Sequence, residues 1–186
     1  MNYGIEIAGL HRELPLCKVT DELYIGAFVM FGDVELTKAA AAALLKIAPE
    51  YDVMITAESK GIPLIYEMAR QSGMNDYVLA RKSSKFYMPS VISVEVKSIT
   101  TAGVQKLYLD SNVAEKMRGK RVLIVDDVIS TGDSLRALEA LVAAAGGNIV
   151  GKLAVLAEGK ASKREDIKYL SYLPTFNSDG TEKPLE

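Results

Sequence analysis

The sequence predicts an α/β fold built on a doubly wound, mainly parallel sheet. Apolar segments of strand length alternate with segments of helix length along most of the 186 residues, and the segment 121–125 (RVLIV) is almost entirely aliphatic. An apolar strand without polar alternation is typical of a parallel sheet that is covered on both faces. Strands that alternate with helices at this spacing favour βαβ units and therefore an open α/β sheet.

Local sequence features justify the elements in order. The alanine-rich segment 37–48 has a high helix propensity and ends before Pro49. Pro63 suits the first turn of a second helix, which Gly73 ends, and the pair 146–147 (GG) ends a later helix. The polar segment after residue 176 is expected to be loose. The predicted elements are helix 37–48, strand 52–56, helix 62–71, strand 77–80, a β-rich segment 91–99, strand 104–109, helix 112–117, strand 121–125, helix 134–145 and strand 149–157.

The composition indicates one ordinary globular domain, residues 1–186. The chain has 49% apolar residues, 25% charged residues and a net charge of −2, and nucleic-acid binders usually carry a basic excess. No apolar segment approaches the roughly 18 residues of a membrane span, and the first residues lack a signal-peptide pattern. The single cysteine, Cys17, is expected to be buried and fits a reducing compartment. We therefore expect a cytoplasmic protein with no membrane or nucleic-acid partner.

The clearest chemical feature follows the strand at 121–125. Asp126 and Asp127 come directly after it, and the loop 130–134 (STGDS) then leads into a helix. Ligands bind at the carboxyl ends of strands in open α/β sheets, and a glycine-containing helix N-terminus favours an anion. Acids that can bind hydroxyl groups beside an anion site indicate a sugar phosphate. A plain strand–turn–helix connection with an aspartate N-cap explains the spacing equally well. The loop lacks GxxxxGK and GxGxxG, which disfavours Walker A and dinucleotide sites.

Three motifs together resemble one family, the type I phosphoribosyltransferases. Segment 122–135 (VLIVDDVISTGDSL) resembles their signature for phosphoribosyl pyrophosphate, PRPP. Segment 57–63 (AESKGIP) resembles their pyrophosphate loop, and segment 79–89 (LARKSSKFYMP) resembles a strand end of the adenine and xanthine enzymes. The motifs follow the family's order, and the resemblance extends from about residue 32 to residue 158.

The resemblance implies roles for individual residues. Asp126 and Asp127 would hold the ribose hydroxyls of PRPP, directly or through Mg²⁺, and Arg81 and Lys85 would add positive charge for catalysis. We expect the Asp133 side chain to turn outward, away from the bound phosphate. The pyrophosphate loop often contains a non-proline cis peptide bond in this family. The 5′-phosphate would bind to Ser130, Thr131, Gly132, Asp133 and Ser134, and pyrophosphate to Ala57, Glu58, Ser59, Lys60, Gly61 and Lys82.

The implied reaction transfers ribose 5-phosphate from PRPP to a free purine with release of pyrophosphate, as in purine salvage. A 6-amino purine needs a hydrogen-bond acceptor and a 6-oxo purine a donor, and Glu158 and Lys160 offer one of each. Adenine is slightly favoured, with a xanthine or guanine enzyme as the alternative. Ser130 stands where hypoxanthine-guanine enzymes carry an aspartate, which disfavours that subfamily. The candidate base-binding residues are Phe28, Phe31, Val128, Glu158 and Lys160.

The resemblance also implies the organisation of the chain. We expect a hood over the base from residues 1–35 and about 159–186, a lid over about 82–103, and a homodimer. The lid lacks the glutamate of adenine enzymes, and its nearest acid is Glu95. Two rivals are disfavoured. A PRPP-binding regulator without catalysis would need a DNA-binding domain before Gly32, and an orotate enzyme would need a lysine-rich lid.

Overall fold

A computed structural model describes residues 1–88, 90–97 and 104–185. Its strands are β1 (Asn2–Ile7), β2 (Leu10–Lys18), β3 (Tyr24–Gly26), β4 (Val53–Ala57), β5 (Val78–Ala80), β6 (Val91–Lys97), β7 (Val104–Asp110), β8 (Arg121–Ile129), β9 (Asn148–Glu158), β10 (Lys168–Leu173) and β11 (Thr175–Phe176). Its helices are α1 (Val34–Ile47), α2 (Ile62–Ser72), α3 (Ser111–Ala114) and α4 (Asp133–Ala144), with 3₁₀ turns at Glu115–Met117 and Gly159–Lys163.

The central sheet is parallel throughout and confirms the predicted fold class. Its five strands run in the order β10-β9-β8-β4-β5. Helix α4 packs on one face, where Leu138 and Leu141 join Ile124 in one apolar cluster. Helices α1 and α2 pack on the other face, where Leu44 and Ile65 belong to a second cluster. Both faces are therefore covered, which explains the uninterrupted apolar sequence of the central strands.

Every helix and strand predicted between residues 37 and 157 is present, with small shifts at the ends. One difference matters for the site. Asp126 and Asp127 were expected to follow the strand, but β8 continues through both of them to Ile129. Pairing of Val128 with Leu156 on β9 extends the strand past the acids. Their backbone is therefore fixed by the sheet rather than by a loop.

A second sheet of four strands, ordered β1-β2-β3-β11, joins the two ends of the chain. Local sequence patterns did not predict these strands. Ala8 and Gly9 connect β1 to β2 with φ values of 52° and 80°, a conformation usually supplied by Asn-Gly.

Two predictions about the ends of the chain were wrong. Cys17, on β2, was expected to be buried but is exposed. The segment after residue 176 was also mispredicted, because the Lys183 amide donates to the Thr175 carbonyl at 2.7 Å.

In the predicted lid region, residues 82–88 and 90 precede strand β6, which pairs with β7 in a two-stranded sheet. Strands β6 and β7 pair antiparallel, with Val94 opposite Leu107, and Leu107 and Leu109 are buried in the cluster that contains α4. Glu95 is on the hairpin with Lys106 across from it, and their charged atoms are 3.6 Å apart. The remaining lid residues, 89 and 98–103, lie outside the described residues. In the described ranges, no helix combines the length and the apolar character that crossing a bilayer requires.

Candidate active site

Three adjoining cavities lie at the carboxyl ends of β8 and β9, and Ser130 lines all of them. We call them the loop cleft, the hood cleft and the tail cleft. The loop cleft, about 40 Å³, is lined by Asp126 and residues 128–135. The hood cleft, about 310 Å³, is lined by residues 25–29, Lys60, Val128, Ser130, Glu158 and Leu173. The tail cleft, about 400 Å³, is lined by Leu23, Ile25, Ser130, Thr131, residues 158–161, Arg164 and Thr175.

The two adjacent acids point to different faces of the sheet, as strand alternation requires. Asp126 lines the loop cleft beside α4. The carboxylate of Asp127 is near Lys60, on the side of α2 and the N-terminal strands, with Nζ to Oδ2 at 3.2 Å. The two acids therefore lie on opposite faces of the sheet, and of the two only Asp126 lines one of the three clefts.

Both acids are almost fully buried, at 6% and 4% exposure. Burial and the neighbouring Asp127 raise the pKa of Asp126 well above its ordinary value. The Oδ1 atom of Asp126 accepts a hydrogen bond from the Asp127 amide at 3.0 Å. The Oδ2 atom of Asp127 has no hydrogen-bond partner among the described residues. Such a carboxylate pair gains free energy from any cation or hydroxyl donor that a ligand brings.

The loop 130–134 forms the N-terminus of α4. Gly132 has a φ of 80°, and helix α4 begins at Asp133. The Thr131 hydroxyl accepts a hydrogen bond from the Asp133 amide at 3.4 Å. A 12-residue helix with this start presents amide donors and a partial positive charge to the cleft.

Asp133 does not turn outward as the sequence analysis expected. Its side chain is buried and forms an ion pair with Arg136, one turn along α4. The negative charge of Asp133, which would repel a phosphate, is thus compensated by Arg136 on the same helix. Pairing with a cation removes the need to expose this carboxylate to solvent.

The loop after β4 packs directly against the acid pair. A Cβ added to Gly61 would lie 2.9 Å from Thr56 Oγ1 and 3.4 Å from Asp126 Oδ1, so only glycine fits there. The Ser59 hydroxyl accepts from the Gly61 amide at 3.2 Å and lies 3.5 Å from Asp126 Oδ1. The described residues contain no cis peptide bond, so the expected one is not found. Ala57, the last residue of β4, is buried and leads into this loop.

Glu58 binds the end of β5 instead of remaining open for a ligand. Its Oε2 accepts from the Lys82 amide at 3.0 Å, and its Oε1 lies 3.4 Å from Arg81 Nη1. Hydrogen bonding to the Lys82 amide and burial act in opposite directions on the pKa of Glu58, which is lowered overall. Glu58 therefore joins the loop 57–61 to the predicted basic segment.

Two basic residues of segment 79–89 donate hydrogen bonds to other side chains of the same segment. Arg81 donates to the Tyr87 hydroxyl at 2.7 Å, while its buried Nε has no partner among the described residues. Lys85 donates to the Ser83 hydroxyl at 2.9 Å. Lys82 is exposed. The side chains of Arg81, Lys82 and Lys85 therefore lie near Glu58, beside the loop 57–61.

The candidate base-binding residues separate into two groups. Phe28 is buried and lines the hood cleft with Val128 and Glu158, whereas Phe31 is 58% exposed and lines none of the three clefts. Lys160 lines only the tail cleft, next to Glu158. Burial raises the pKa of Glu158, and nearby Lys60 partly offsets that rise. Glu158, at the end of β9, is thus a partly buried acceptor facing both larger clefts.

Sequence reasoning missed two arginines beside the loop. Arg136 and Arg164 have Nη1 atoms 3.7 Å and 2.8 Å from the position of a Cβ on Gly132. Arg136 directly follows the motif 122–135 and could have been found by helix periodicity. Arg164 is 32 residues beyond Gly132 in sequence, and no local pattern connects the two.

Comparisons with known proteins agree with this geometry. The model of the family described as "Phosphoribosyl transferase domain" matches residues 33–181. The adenine phosphoribosyltransferase of Rhodococcus jostii is 31% identical over 140 residues, 73% of this chain and 74% of the relative. The hypoxanthine/guanine phosphoribosyltransferase of Methanocella paludicola is 33% identical over 141 residues, 74% and 68% of the two chains. The solved adenine phosphoribosyltransferase of Rhodothermus marinus superposes with a TM-score of 0.64 at 26% identity, covering 77% of this chain and 83% of its own.

Proposed function

The chain belongs to the type I phosphoribosyltransferase family, and on this premise we propose that it transfers ribose 5-phosphate from PRPP to adenine, releasing pyrophosphate. One observation carries the proposal. The buried Asp126 lines the loop cleft at the N-terminus of α4, and the buried Asp127 beside it is paired with Lys60, which lines the hood cleft; the two clefts share Ser130. A sugar can bind the acids while its 5′-phosphate reaches the helix N-terminus.

Asp126 and Asp127 accept hydrogen bonds from the ribose hydroxyls. The amides and hydroxyls of the loop bind the 5′-phosphate, and Gly132 lets the backbone approach it. Because Arg136 compensates the charge of Asp133, this acid is compatible with a phosphate nearby. The residues assigned to the 5′-phosphate are Ser130, Thr131, Gly132, Asp133 and Ser134.

The acid pair fits Mg²⁺ as a cofactor that arrives with PRPP. Asp127 Oδ2 is a buried carboxylate oxygen that accepts no hydrogen bond among the described residues and faces a cation, the Lys60 ammonium, at 3.2 Å; oxygen is the ligand that Mg²⁺ prefers. Within the same residues, no group of three or more His, Cys, Asp or Glu side chains could hold a metal by itself. Asp126 and Asp127 would therefore hold Mg²⁺ together with PRPP oxygens and water. When bound, the ion neutralises charge on the departing pyrophosphate.

The protein holds the two reactants in line. The base nitrogen forms a bond to C1 of the ribose while the bond from C1 to the pyrophosphate oxygen breaks, through a transition state resembling an oxocarbenium ion. The proton of that nitrogen is released to water, and the electron pair of the broken bond leaves with pyrophosphate. Ser59, Gly61, Arg81, Lys82 and Lys85 bind the pyrophosphate. Lys60 is near Asp127 and the hood cleft, which supports a role between base and ribose. Holding the nitrogen close to C1 supplies much of the rate acceleration.

Glu158 favours a 6-amino purine. Glu158 lines the hood cleft together with Phe28, and a carboxylate acceptor there binds the exocyclic amino group of adenine. The second candidate is a 6-oxo purine, because Lys160 lines the adjoining tail cleft and some relatives are named for hypoxanthine and guanine. The hood cleft, between β3 and the end of β9, supports the hood role of the terminal segments. The lid at about 82–103 stays a prediction.

The experiment is a pyrophosphate-release assay with PRPP, Mg²⁺ and adenine, hypoxanthine, guanine, xanthine or orotate. We expect release with adenine, and Asp127→Ala should abolish PRPP binding in a folded protein. Glu158→Ala should lower kcat/KM for adenine roughly 10- to 100-fold, as expected for a lost bond to a charged group. Lys160→Ala, the matched control, should affect only 6-oxo purines. Release with no base would favour a PRPP-binding regulator.

We also propose a homodimer in the cytoplasm. Val34 and Tyr66 are 69% and 59% exposed and line a groove between α1 and α2, and Val29 and Phe31, just before α1 in the chain, are 54% and 58% exposed. Exposed apolar side chains grouped in this way are a typical feature of association surfaces. The exposed thiol of Cys17 fits a reducing compartment. Sedimentation of the unaltered chain and of Phe31→Glu tests the dimer, and a single monomeric species for both would refute it.

A further inference from the structure

Arg164 covers the glycine of the loop. Its Nη1 atom lies 2.8 Å from the position that a Cβ on Gly132 would occupy. It comes from the end of the 3₁₀ turn Gly159–Lys163 and lines the tail cleft together with Ser130 and Thr131. The connection from β9 to β10 therefore contacts the N-terminus of α4 through Arg164 and Gly132.

A fixed ion pair orients this guanidinium. Arg164 Nε donates to Asp166 Oδ1 at 2.9 Å, and Nη2 donates to Asp166 Oδ2 at 2.7 Å. Lys152 also donates to Asp166 Oδ2, at 2.7 Å, so a second cation holds this carboxylate. Only 28% of the Arg164 side chain is exposed. Two parallel bonds fix the plane of a guanidinium, so the direction of its remaining edge is set.

The Nη1 edge of the Arg164 guanidinium, which is not bonded to Asp166, faces Gly132 in the loop 130–134. Across the described parts of the chain, no acceptor is bonded to Arg164 Nη1, whereas the other nearby guanidinium, Arg136, is paired with Asp133. Asp166 engages Arg164 through Nε and Nη2 only. An arginine held in this way can bind a phosphate oxygen without reorganising.

We propose that Arg164 binds the 5′-phosphate of the sugar substrate, with Asp166 as its positioning residue. The ligand class is a phosphomonoester dianion held between the amides of loop 130–134 and the Nη1 edge. This inference rests on the proposed function for the identity of the sugar phosphate. It adds a charged side chain to a loop whose own residues offer only amides and hydroxyls to an anion.

The experiment measures binding of ribose 5-phosphate, pyrophosphate and adenine by calorimetry. We expect Arg164→Gln to weaken ribose 5-phosphate binding roughly 10- to 100-fold, the range for a lost charge-assisted hydrogen bond. Pyrophosphate and adenine should bind within twofold of the unaltered chain. Arg164→Lys should recover part of the loss because it keeps the charge. Asp166→Asn should give a smaller loss, and Arg118→Gln, which removes an exposed pair with Glu115, is the matched control.

An Arg164→Gln protein that binds ribose 5-phosphate within twofold of the unaltered chain would overturn the inference. Equal losses for all three ligands would also overturn it, because they would indicate a general distortion of the site. If Arg164→Gln does not fold, Arg164→Met takes its place under the same two criteria, because methionine also removes the charge and keeps a long side chain. Failure of the proposed function is separate: the unaltered chain would then release no pyrophosphate, whatever its affinity for ribose 5-phosphate.

Discussion

The ammonium of Lys60 joins the buried Asp127 to the N-terminal part of the chain. Its Nζ lies 3.2 Å from Asp127 Oδ2 and donates to the Phe28 carbonyl at 2.6 Å. One side chain therefore connects the loop after β4, the acid at the end of β8 and the wall of the hood cleft. This cation stays beside the acid that we assign to the ribose, rather than facing outward toward a leaving group.

Replacing Lys60 tests how much the buried acid depends on it. We expect Lys60→Met to lower the free energy of unfolding by about 1–2 kcal/mol, less than for a fully buried pair because Lys60 is 38% exposed. Denaturant titration measures the change. The double variant Lys60→Met/Asp127→Asn should regain most of the loss, while Lys38→Met, on the exposed side of α1, should have little effect. Strictly additive effects of the two substitutions would contradict the pairing.

Two features require glycine at position 132: the positive φ of its backbone and the close approach of Arg164. Its φ of 80° costs a residue with a Cβ about 1–2 kcal/mol, and that Cβ would lie 2.8 Å from Arg164. Gly73→Ala is the matched control, because Gly73 has a φ of 75° and nothing within 4 Å. We expect Gly132→Ala to destabilise the protein more than Gly73→Ala in the same denaturant titration. Equal costs would show that Arg164 moves away freely.

His11 bridges two acids across the hairpin β1–β2. Hydrogen bonds to Glu13 at 2.9 Å and to Glu6 at 2.8 Å raise the pKa of His11 above 6.5. Because the folded-state pKa is raised, the stabilisation is fully present below about pH 6.5 and is lost as pH rises through the folded-state pKa. An NMR titration of the imidazole should show the raised value. Glu13→Gln should lower it, and a midpoint unchanged by this substitution would contradict the assignment.

The hairpin β6–β7 is anchored by Leu107. This residue is 2% exposed and belongs to the cluster around α4. We expect Leu107→Ala to lower the free energy of unfolding by about 2–4 kcal/mol, the usual cost of a core leucine. Val91→Ala, at 36% exposure on the same hairpin, should change it by less than about 0.5 kcal/mol. Thermal unfolding that is equal for both variants would indicate a hairpin that does not pack on α4.

The parts of the fold that could be predicted have strong local periodicity. Helices α1, α2 and α4 carry capping residues and breakers such as Asp33, Pro63 and Gly73. Strands β1, β2 and β3 were missed because their side chains alternate only partly and their turn is Ala-Gly. These strands depend on pairing with each other and with β11, which comes from the other end of the chain.

The sequence by itself determined the parallel sheet, the acid pair at the end of β8 and the loop that begins α4, because each depends on neighbours only a few residues apart. The tertiary structure alone decided which acid faces which side, that Lys60 pairs with Asp127, and that Phe28 lines the hood cleft while Phe31 does not. It also decided that Arg164 lies on Gly132. Such contacts join segments far apart in the chain, and only packing fixes the distances on which their electrostatic effects depend.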